Sequence, residues 1–463
     1  MEKKANHFSG QLGFVLAAAG SAVGVGNLWR FPYLAAKDGG GLFLVIYLAL
    51  VLTFGFTLLA SDIAIGRRTH KSAIGAYQEL HPKWKFLGIL TFLVPVLIMT
   101  YYAVIGGWIT KYAVVYLTGQ ADAAAQDDYF TSFITSPVSP VLFALLFMAV
   151  TALIVYNGVE GGIEKVSRFM MPILLVLVVV IAVYSLTLRR TDASGEVRTG
   201  LQGFLYYITP HVEGLTVGRF LQILLDAMSQ LFFSLSVSMG IMITYGSYVK
   251  PEVNLGRSVN QIELFDTAVA LLAGVMIIPA VYVFSGTEGM SAGPSLMFVS
   301  LPKVFAAMGR AGILVGVLFF ITAIFATLTS CISVLESITA NCVEIFHWGR
   351  KKAVLILSVI YLAASAVIAL GYSLFYFDVQ LPNGSSAQLL DIMDYISNSV
   401  MMPFIALLST ILIGWVRTPE YVIGEMERNG EHFRRKGVYR VMIRYIAPVM
   451  MLILFLQSTG ILS

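Results

Sequence analysis

The sequence predicts an all-α membrane protein of eleven transmembrane helices, on three observations. Hydrophobic residues make up 58% of the 463 and charged ones only 12%, with a mean hydropathy of +0.82, whereas soluble chains carry about 25% charged residues. Uncharged stretches at 86–110, 169–188, 311–335, 353–377 and 395–416 match or exceed the roughly 20 helical residues that cross about 30 Å of hydrocarbon. Hydrocarbon leaves only helices or closed barrels as spanning structures, and no alternating barrel strands are visible.

Taken in order, the spans are expected at 11–37, 40–66, 86–118, 138–157, 163–188, 220–248, 259–286, 311–345, 353–374, 392–416 and 440–461. Lys3, Lys4, Arg67, Arg68, Lys71, Lys83, Lys85, Arg350, Lys351, Lys352, Arg434, Arg435 and Lys436 fall on one side, while the loop around Asp122, Asp127 and Asp128 has no Lys or Arg. That bias predicts a multi-pass protein of the cell membrane with its amino terminus in the cytoplasm and, after eleven spans, its carboxyl terminus outside. The first residues, MEKKANHFSG, lead into an apolar segment without a small-residue cleavage site, so no signal peptide is expected. The loops 189–219 and 288–310 look long enough to fold. Cys331 and Cys342 lie on one predicted helix, roughly 16 Å apart at 1.5 Å per residue, and cannot pair within it. The net charge of +4 follows the topology, and no nucleic-acid partner is expected.

Two spans are interrupted alike, and they open successive five-helix sets, 11–188 and 220–416, with 436–463 as the eleventh helix. Span one reads Gly20-Ser-Ala-Val-Gly-Val-Gly-Asn27 and span six Ser234-Leu-Ser-Val-Ser-Met-Gly240. Glycine costs about 1 kcal/mol against alanine inside a helix, and serine hydroxyls compete for the backbone, so both runs should unwind. Matched breaks of this kind point to a transporter's midplane binding site; bare carbonyls suit a cation and helix amino ends a carboxylate. Close helix packing competes with binding as the role of these residues, since Gly20-xxx-Gly24 is itself a packing motif. Two matched breaks, each flanked by hydroxyl or amide side chains, weigh toward binding.

At Gly20-Ser-Ala-Val-Gly-Val-Gly-Asn-Leu-Trp-Arg-Phe-Pro32 the chain resembles the neurotransmitter:sodium symporter family, including its bacterial amino-acid transporters. The likeness continues through Gly39-Gly-Gly-Leu-Phe43, Tyr101-Tyr102, Gln230-Leu-Phe-Phe-Ser-Leu-Ser236, Thr244-Tyr-Gly-Ser-Tyr248, Ala326-Thr-Leu-Thr-Ser330 and Asp391-Ile-Met-Asp394, in order and over nearly the whole chain. It implies an inverted five-plus-five repeat with unwound first and sixth helices. It also implies two sodium sites. One would use Gly20, Val23 and Ala326 carbonyls with Thr329 and Ser330 hydroxyls. The other would use Ala22, Asn27, Ser234, Asp266 and the substrate's own carboxylate. The family often has asparagine where Asp266 stands. Chloride-dependent relatives hold an anion beside Tyr47, Gln230 and Ser234, so the fixed charge of Asp266 predicts no chloride requirement. An ionisable group at that depth is costly and usually functional, the alternative being a solvated Asp266 at the cytoplasmic end of its helix.

The same resemblance places Tyr102 on the substrate carboxylate and Phe233 over it, makes Arg30 and Asp394 an outer gate, and puts Tyr248 and Glu344, with Lys3 or Lys4, in an inner one. Taken singly, the aromatics read as helix packing and Arg30 as a snorkelling side chain. Ala22, Val25, Gly26, Val104, Phe233, Ser234, Ser236, Met239, Ser330 and Val334 would shape the substrate pocket, and none could pair a charged side chain. Met239, where related leucine carriers have phenylalanine, can repack around ligands of different size, which predicts Trp, Tyr, Phe, Leu or Met as substrate. Gly162 and Pro172 mark a helix start that could unwind reversibly or merely begin. Asp62 and Glu336 are further buried acids, expected to make polar helix contacts or to sense protons.

The reading is therefore a sodium-coupled amino-acid symporter in the lipid bilayer, for which a monomer should suffice. The runner-up is an amino-acid-binding membrane sensor without transport, against which stands the lack of a large cytoplasmic signalling domain. A channel would want a continuous polar pore. No nucleophile with a base, no His/Cys cluster and no phosphate loop suggests an enzyme.

Overall fold

The computed structural model describes residues 7–191, 195–286, 289–290, 293–382 and 384–462. Among these, nine helices are long and apolar enough to cross a membrane, and a tenth crossing is made by Gln11–Ala22 and Val25–Lys37, bent by 61° at the break between them. The expected sixth span is resolved into Val217–Ser234 and Ile241–Ser247, separated by a non-helical hinge. Neither piece alone passes as a crossing, because each is too short or too polar. The other nine expected spans each correspond to one continuous helix.

The outer surface is apolar, with Leu264 70%, Val359 68%, Phe169 66% and Leu153 64% exposed. A water-soluble fold does not present such a surface over its whole girth. The interior carries the polar groups instead: Asn27, Asp62, Arg67, Asp266, Glu336 and Asn341 are buried. Small residues let the helices approach closely; at Gly66 the helix Gly41–Thr69 lies directly on the backbone of Ile243 and Ser247. The loop 189–219 folds into the hairpin Arg189–Thr191 with Val197–Thr199, followed by the helix Gly200–Ile208. The described part of the loop 288–310 contains the helix Leu301–Ala307, preceded by a π-helical turn. Cys331 and Cys342 are free and buried.

Candidate functional site

The first break begins where the helix ends at Ala22: Val23 and Gly24 are extended, and the chain turns helical again at Val25. The last carbonyls of such a helix have no intrahelical partner. One of them, on Ser21, accepts from the Ser236 hydroxyl at 2.9 Å and the Ser330 hydroxyl at 3.2 Å. The second break holds Ser236, Ser238 and Gly240 in the left-handed region, at φ 52°, 61° and 74°. For the two serines this costs on the order of 1–3 kcal/mol each, so the surroundings must hold them. Asp62 accepts the Ser238 N–H at 2.9 Å, and the Ser21 hydroxyl meets that of Ser236 at 3.2 Å. The two breaks are thus bonded to each other.

Between them lies a cavity lined by Ala22, Gly26, Tyr102, Phe233, Ser234, Ser236, Met239, Ser330 and Val334, all expected there. Val25 instead faces a larger vestibule beside it, and Val104 is buried without lining either space. Ile98 lines the cavity in its place. It sits one helical turn before Tyr102, a spacing that sequence reasoning could have used. A Cβ on Gly24 would stand 3.0 Å from the Tyr102 hydroxyl, and one on Gly26 3.0 Å from the Phe233 ring. These glycines let backbone form the pocket wall directly.

At one edge of the cavity Asp266 is fully buried, well inside the helix Leu255–Ser285 rather than solvated at its end. Asn27 donates to it at 2.9 Å, and the Ser234 hydroxyl lies 2.8 and 3.0 Å from its two oxygens. Asn27 Oδ1 accepts the Gly24 N–H at 3.2 Å, which fixes the amide with its nitrogen toward Asp266. No Lys or Arg among the described residues pairs with Asp266. A buried carboxylate with only neutral donors is costly, and the set of oxygens around it fits a monovalent hard cation. Tyr47 and Gln230 are buried nearby, and among the described residues nothing makes a hydrogen bond of ordinary geometry with the Tyr47 hydroxyl or Gln230 Oε1. On the other side of the first break a Cβ on Gly20 would touch Thr329 at 3.1 Å. Thr329 Oγ1 donates to the carbonyls of Phe325 and Ala326 at 2.9 and 3.2 Å. Gly20, Ala326, Thr329 and Ser330 are therefore neighbours, with Val23 buried at the break beside them. That set offers neutral oxygens only.

The vestibule, about 470 Å³, ends on Phe233 and Tyr102. Arg30 and Asp394 both line it but do not pair: Arg30 bonds the Ser229 hydroxyl at 2.7 Å, while Asp394 accepts from Tyr101 at 2.9 Å and Asn398 at 2.6 Å. Near this end Lys37 pairs with Asp226 at 2.9 Å and Arg219 with Asp38 at 2.8 Å. Burial and the neighbouring Asp226 push the Asp38 carboxyl up to about 6, against the pull of Lys37 and Arg219.

The opposite end is closed. Tyr248 donates to Glu336 at 2.7 Å, and Arg350 grips the same carboxylate at 2.8 and 2.5 Å. Phe8 packs against Phe14, Tyr245 and Tyr248. Tyr248 and Glu344 do not meet, because Glu344 accepts from the backbone and hydroxyl of Ser72; Lys3 and Lys4 lie outside the described residues. Sequence reasoning saw Glu336 as a buried acid without seeing Arg350 as its partner. A buried acid and a basic residue at the next helix start were the available signal. Gly162 lies in a π-helical turn, Val159–Glu164, that leads into the helix containing Pro172.

Matched breaks in two buried helices, enclosing a small pocket with a vestibule on one side and a sealed floor on the other, define a secondary transporter and not an enzyme. Residues 5–131 and 137–462 match the Sodium:neurotransmitter symporter family, and the chain belongs to it. It is 35% identical to the uncharacterized sodium-dependent transporter YhdH of Bacillus subtilis, covering 100% of this chain and 99% of that one. A sodium- and chloride-dependent GABA transporter of Drosophila melanogaster, ine, is 26% identical over 94% of this chain and 49% of its own length. The crystal structure of MhsT in complex with L-phenylalanine matches with a TM-score of 0.84 at 34% identity, covering 98% of this chain and 99% of that one. The protein is thus a multi-pass membrane transporter that uses sodium to move a small molecule.

Proposed function

We propose that this transporter imports a neutral hydrophobic or aromatic amino acid, Trp, Tyr, Phe, Leu or Met, together with sodium and without chloride, by alternating access. The observation that carries the reading is Asp266, held by Asn27 and Ser234 at the edge of a cavity whose other lining is neutral and largely apolar. A fixed carboxylate there supplies the charge that a chloride ion would otherwise bring beside Tyr47, Gln230 and Ser234. The phenylalanine held by the similar MhsT structure is of the same substrate class.

In this reading Ala22, Asn27, Ser234 and Asp266 hold one sodium ion, and Gly20, Val23, Ala326, Thr329 and Ser330 a second. Tyr102 takes the substrate carboxylate, Met239 and Val334 meet its side chain, and Phe233 closes over it. Arg30 with Asp394 forms the outer gate; Glu336, Arg350 and Tyr248 close the inner side, and Glu344 braces it through Ser72. Counting Val217–Ser247 as one broken crossing gives eleven spans, arranged as repeats over 11–188 and 220–416 with 436–463 outside them. The basic loops put the amino terminus in the cytoplasm and the carboxyl terminus outside, so the vestibule faces outward. A single chain contains all of these groups.

The test is uptake of radiolabelled tryptophan, leucine and alanine into proteoliposomes with sodium chloride, sodium gluconate or potassium outside. Sodium-dependent accumulation of tryptophan or leucine that survives chloride removal and is lost in Asn27→Ala and Thr329→Ala is the expected result. Binding without accumulation under every gradient would overturn the symport reading, and a chloride requirement would overturn the role given to Asp266.

A further inference from the structure

A second cavity, of about 350 Å³, lies far from the substrate pocket, among the start of the helix Leu255–Ser285, the helix Gly41–Thr69 and the residues leading into Lys436–Ser458. Its lining includes Arg257, Arg434, Arg435, His432, Asn254 and Asn260, and no carboxylate. Arg435 is anchored: it pairs with Glu263 at 2.7 Å, donates to the Leu52 carbonyl at 3.1 Å and stacks over the Phe56 ring at 3.5 Å. The π-helical turn Val51–Gly55, which disturbs the regular backbone ladder, lies at this contact. Arg257 and Arg434 are different. Both are exposed, and neither has an ion-pair or side-chain hydrogen-bond partner among the described residues. Two unpaired guanidiniums, one in the first turn of the helix Leu255–Ser285 and one in the turn before Lys436–Ser458, converge on one cavity with donor amides beside them and suit a phosphate, since each offers a planar fork of N–H groups.

The surface next to this cavity is apolar. Leu52 is 56%, Leu264 70% and Val441 50% exposed, on the three helices that flank it. A free phosphate ion has no use for that surface, whereas a phospholipid presents an anionic head and two acyl chains in that order. We propose that the cavity binds the phosphate-bearing headgroup of an anionic phospholipid, with its chains lying along Leu52, Leu264 and Val441. Arg257 and Arg434 contact the phosphate, and Arg435, held by Glu263 and Phe56, forms the floor. Cations gathered at the lipid boundary attract anionic lipid with an energy that grows per residue, so loss of two should be readily measured.

The experiment uses the purified full-length transporter in detergent, with lipid retention read by native mass spectrometry and stabilisation by thermal unfolding. Phosphatidylglycerol is compared with phosphatidylcholine of identical acyl chains, and with glycerophosphoglycerol and inorganic phosphate as soluble anions. The wild type should retain phosphatidylglycerol about tenfold or more over phosphatidylcholine. The Arg257→Gln/Arg434→Gln protein should retain the two lipids about equally. Arg257→Lys/Arg434→Lys should keep much of the preference, and Arg189→Gln/Arg190→Gln, at the other end of the molecule, all of it. No preference in the wild type, or the same preference in the double glutamine protein, would overturn the site. Stabilisation by inorganic phosphate or the soluble headgroup equal to that by the lipid would overturn the assignment to a lipid and leave a soluble-anion site.

Discussion

The charged residues that line the vestibule are held differently from those at the closed end, even though ion pairs such as Lys37–Asp226 and Arg219–Asp38 lie near the vestibule too. At the closed end charge meets charge: Glu336 is gripped by Arg350, and Arg67, fully buried, by Glu425 at 2.6 Å. At the vestibule end Arg30 rests on a serine, and Asp394 on a tyrosine and an asparagine, although both face the same space. Neutral hydroxyl and amide partners can satisfy such groups while leaving them free to exchange partners. An ion pair in a dry site is far harder to part, since removing one partner leaves the other uncompensated. The difference shows how one chain can be sealed on one side and ready to seal on the other: closure of the vestibule needs only that Arg30 and Asp394 give up hydroxyl and amide partners for each other.

Glu336→Gln should break that comparison most severely. It leaves the Arg350 side chain, only 16% exposed, without its charge partner, and loss of one member of a buried pair costs on the order of 3–5 kcal/mol, less here because Arg350 retains some solvent. The closed end should open. A Ser247→Cys probe beside Tyr248 should react with a small thiol reagent at least about tenfold faster in the variant, as expected for more than about 1.4 kcal/mol of lost closure. Unchanged reactivity would mean that the Phe8 plug, not the ion pair, holds this end.

Asp394→Asn tests the other end. The amide can still accept from Tyr101, so the open arrangement survives, but it brings no charge to meet Arg30. Uptake should fall about tenfold while sodium-dependent substrate binding changes less than about threefold, a charged partner being worth roughly 1.5–3 kcal/mol. Equal losses in binding and uptake would show that Asp394 supports the pocket itself rather than its closure.

Much of this was legible in the sequence, and the reasons differ by residue. Both breaks were visible because glycine and serine act through their own backbone, independently of neighbours. Asp266 stood out through the family resemblance, supported by the cost of an acid so deep in an apolar span. The partners of Asp62 and Glu336 were not legible. The first is a backbone N–H of Ser238, which has no sequence signature, and the second is Arg350, set by how two helices meet. Val104 and Ile98 were exchanged because helix rotation about its axis, not residue type, decides which of two aliphatic side chains faces a cavity. The basic cavity draws on three segments distant in sequence, and its charges alone look like ordinary topology determinants.

The gentlest test compares two tyrosines that do the same job at opposite ends. Tyr248 donates to Glu336 at 2.7 Å and Tyr101 to Asp394 at 2.9 Å, and in each case another donor remains, Arg350 or Asn398. Phenylalanine at either position removes one hydrogen bond of similar strength, so local stability arguments predict equal effects. The arrangement of charges predicts opposite ones. Tyr248→Phe loosens a made closure and should raise the reactivity of the Ser247→Cys probe about threefold, whereas Tyr101→Phe frees Asp394 to turn toward Arg30 and should lower that of a Ser399→Cys probe in the vestibule about threefold, each near the lower end for a bond to a charged group. A change of the same sign at both ends would mean that Tyr101 holds the vestibule shut rather than open, and the contrast between the two ends would then be one of partners only, not of readiness to close.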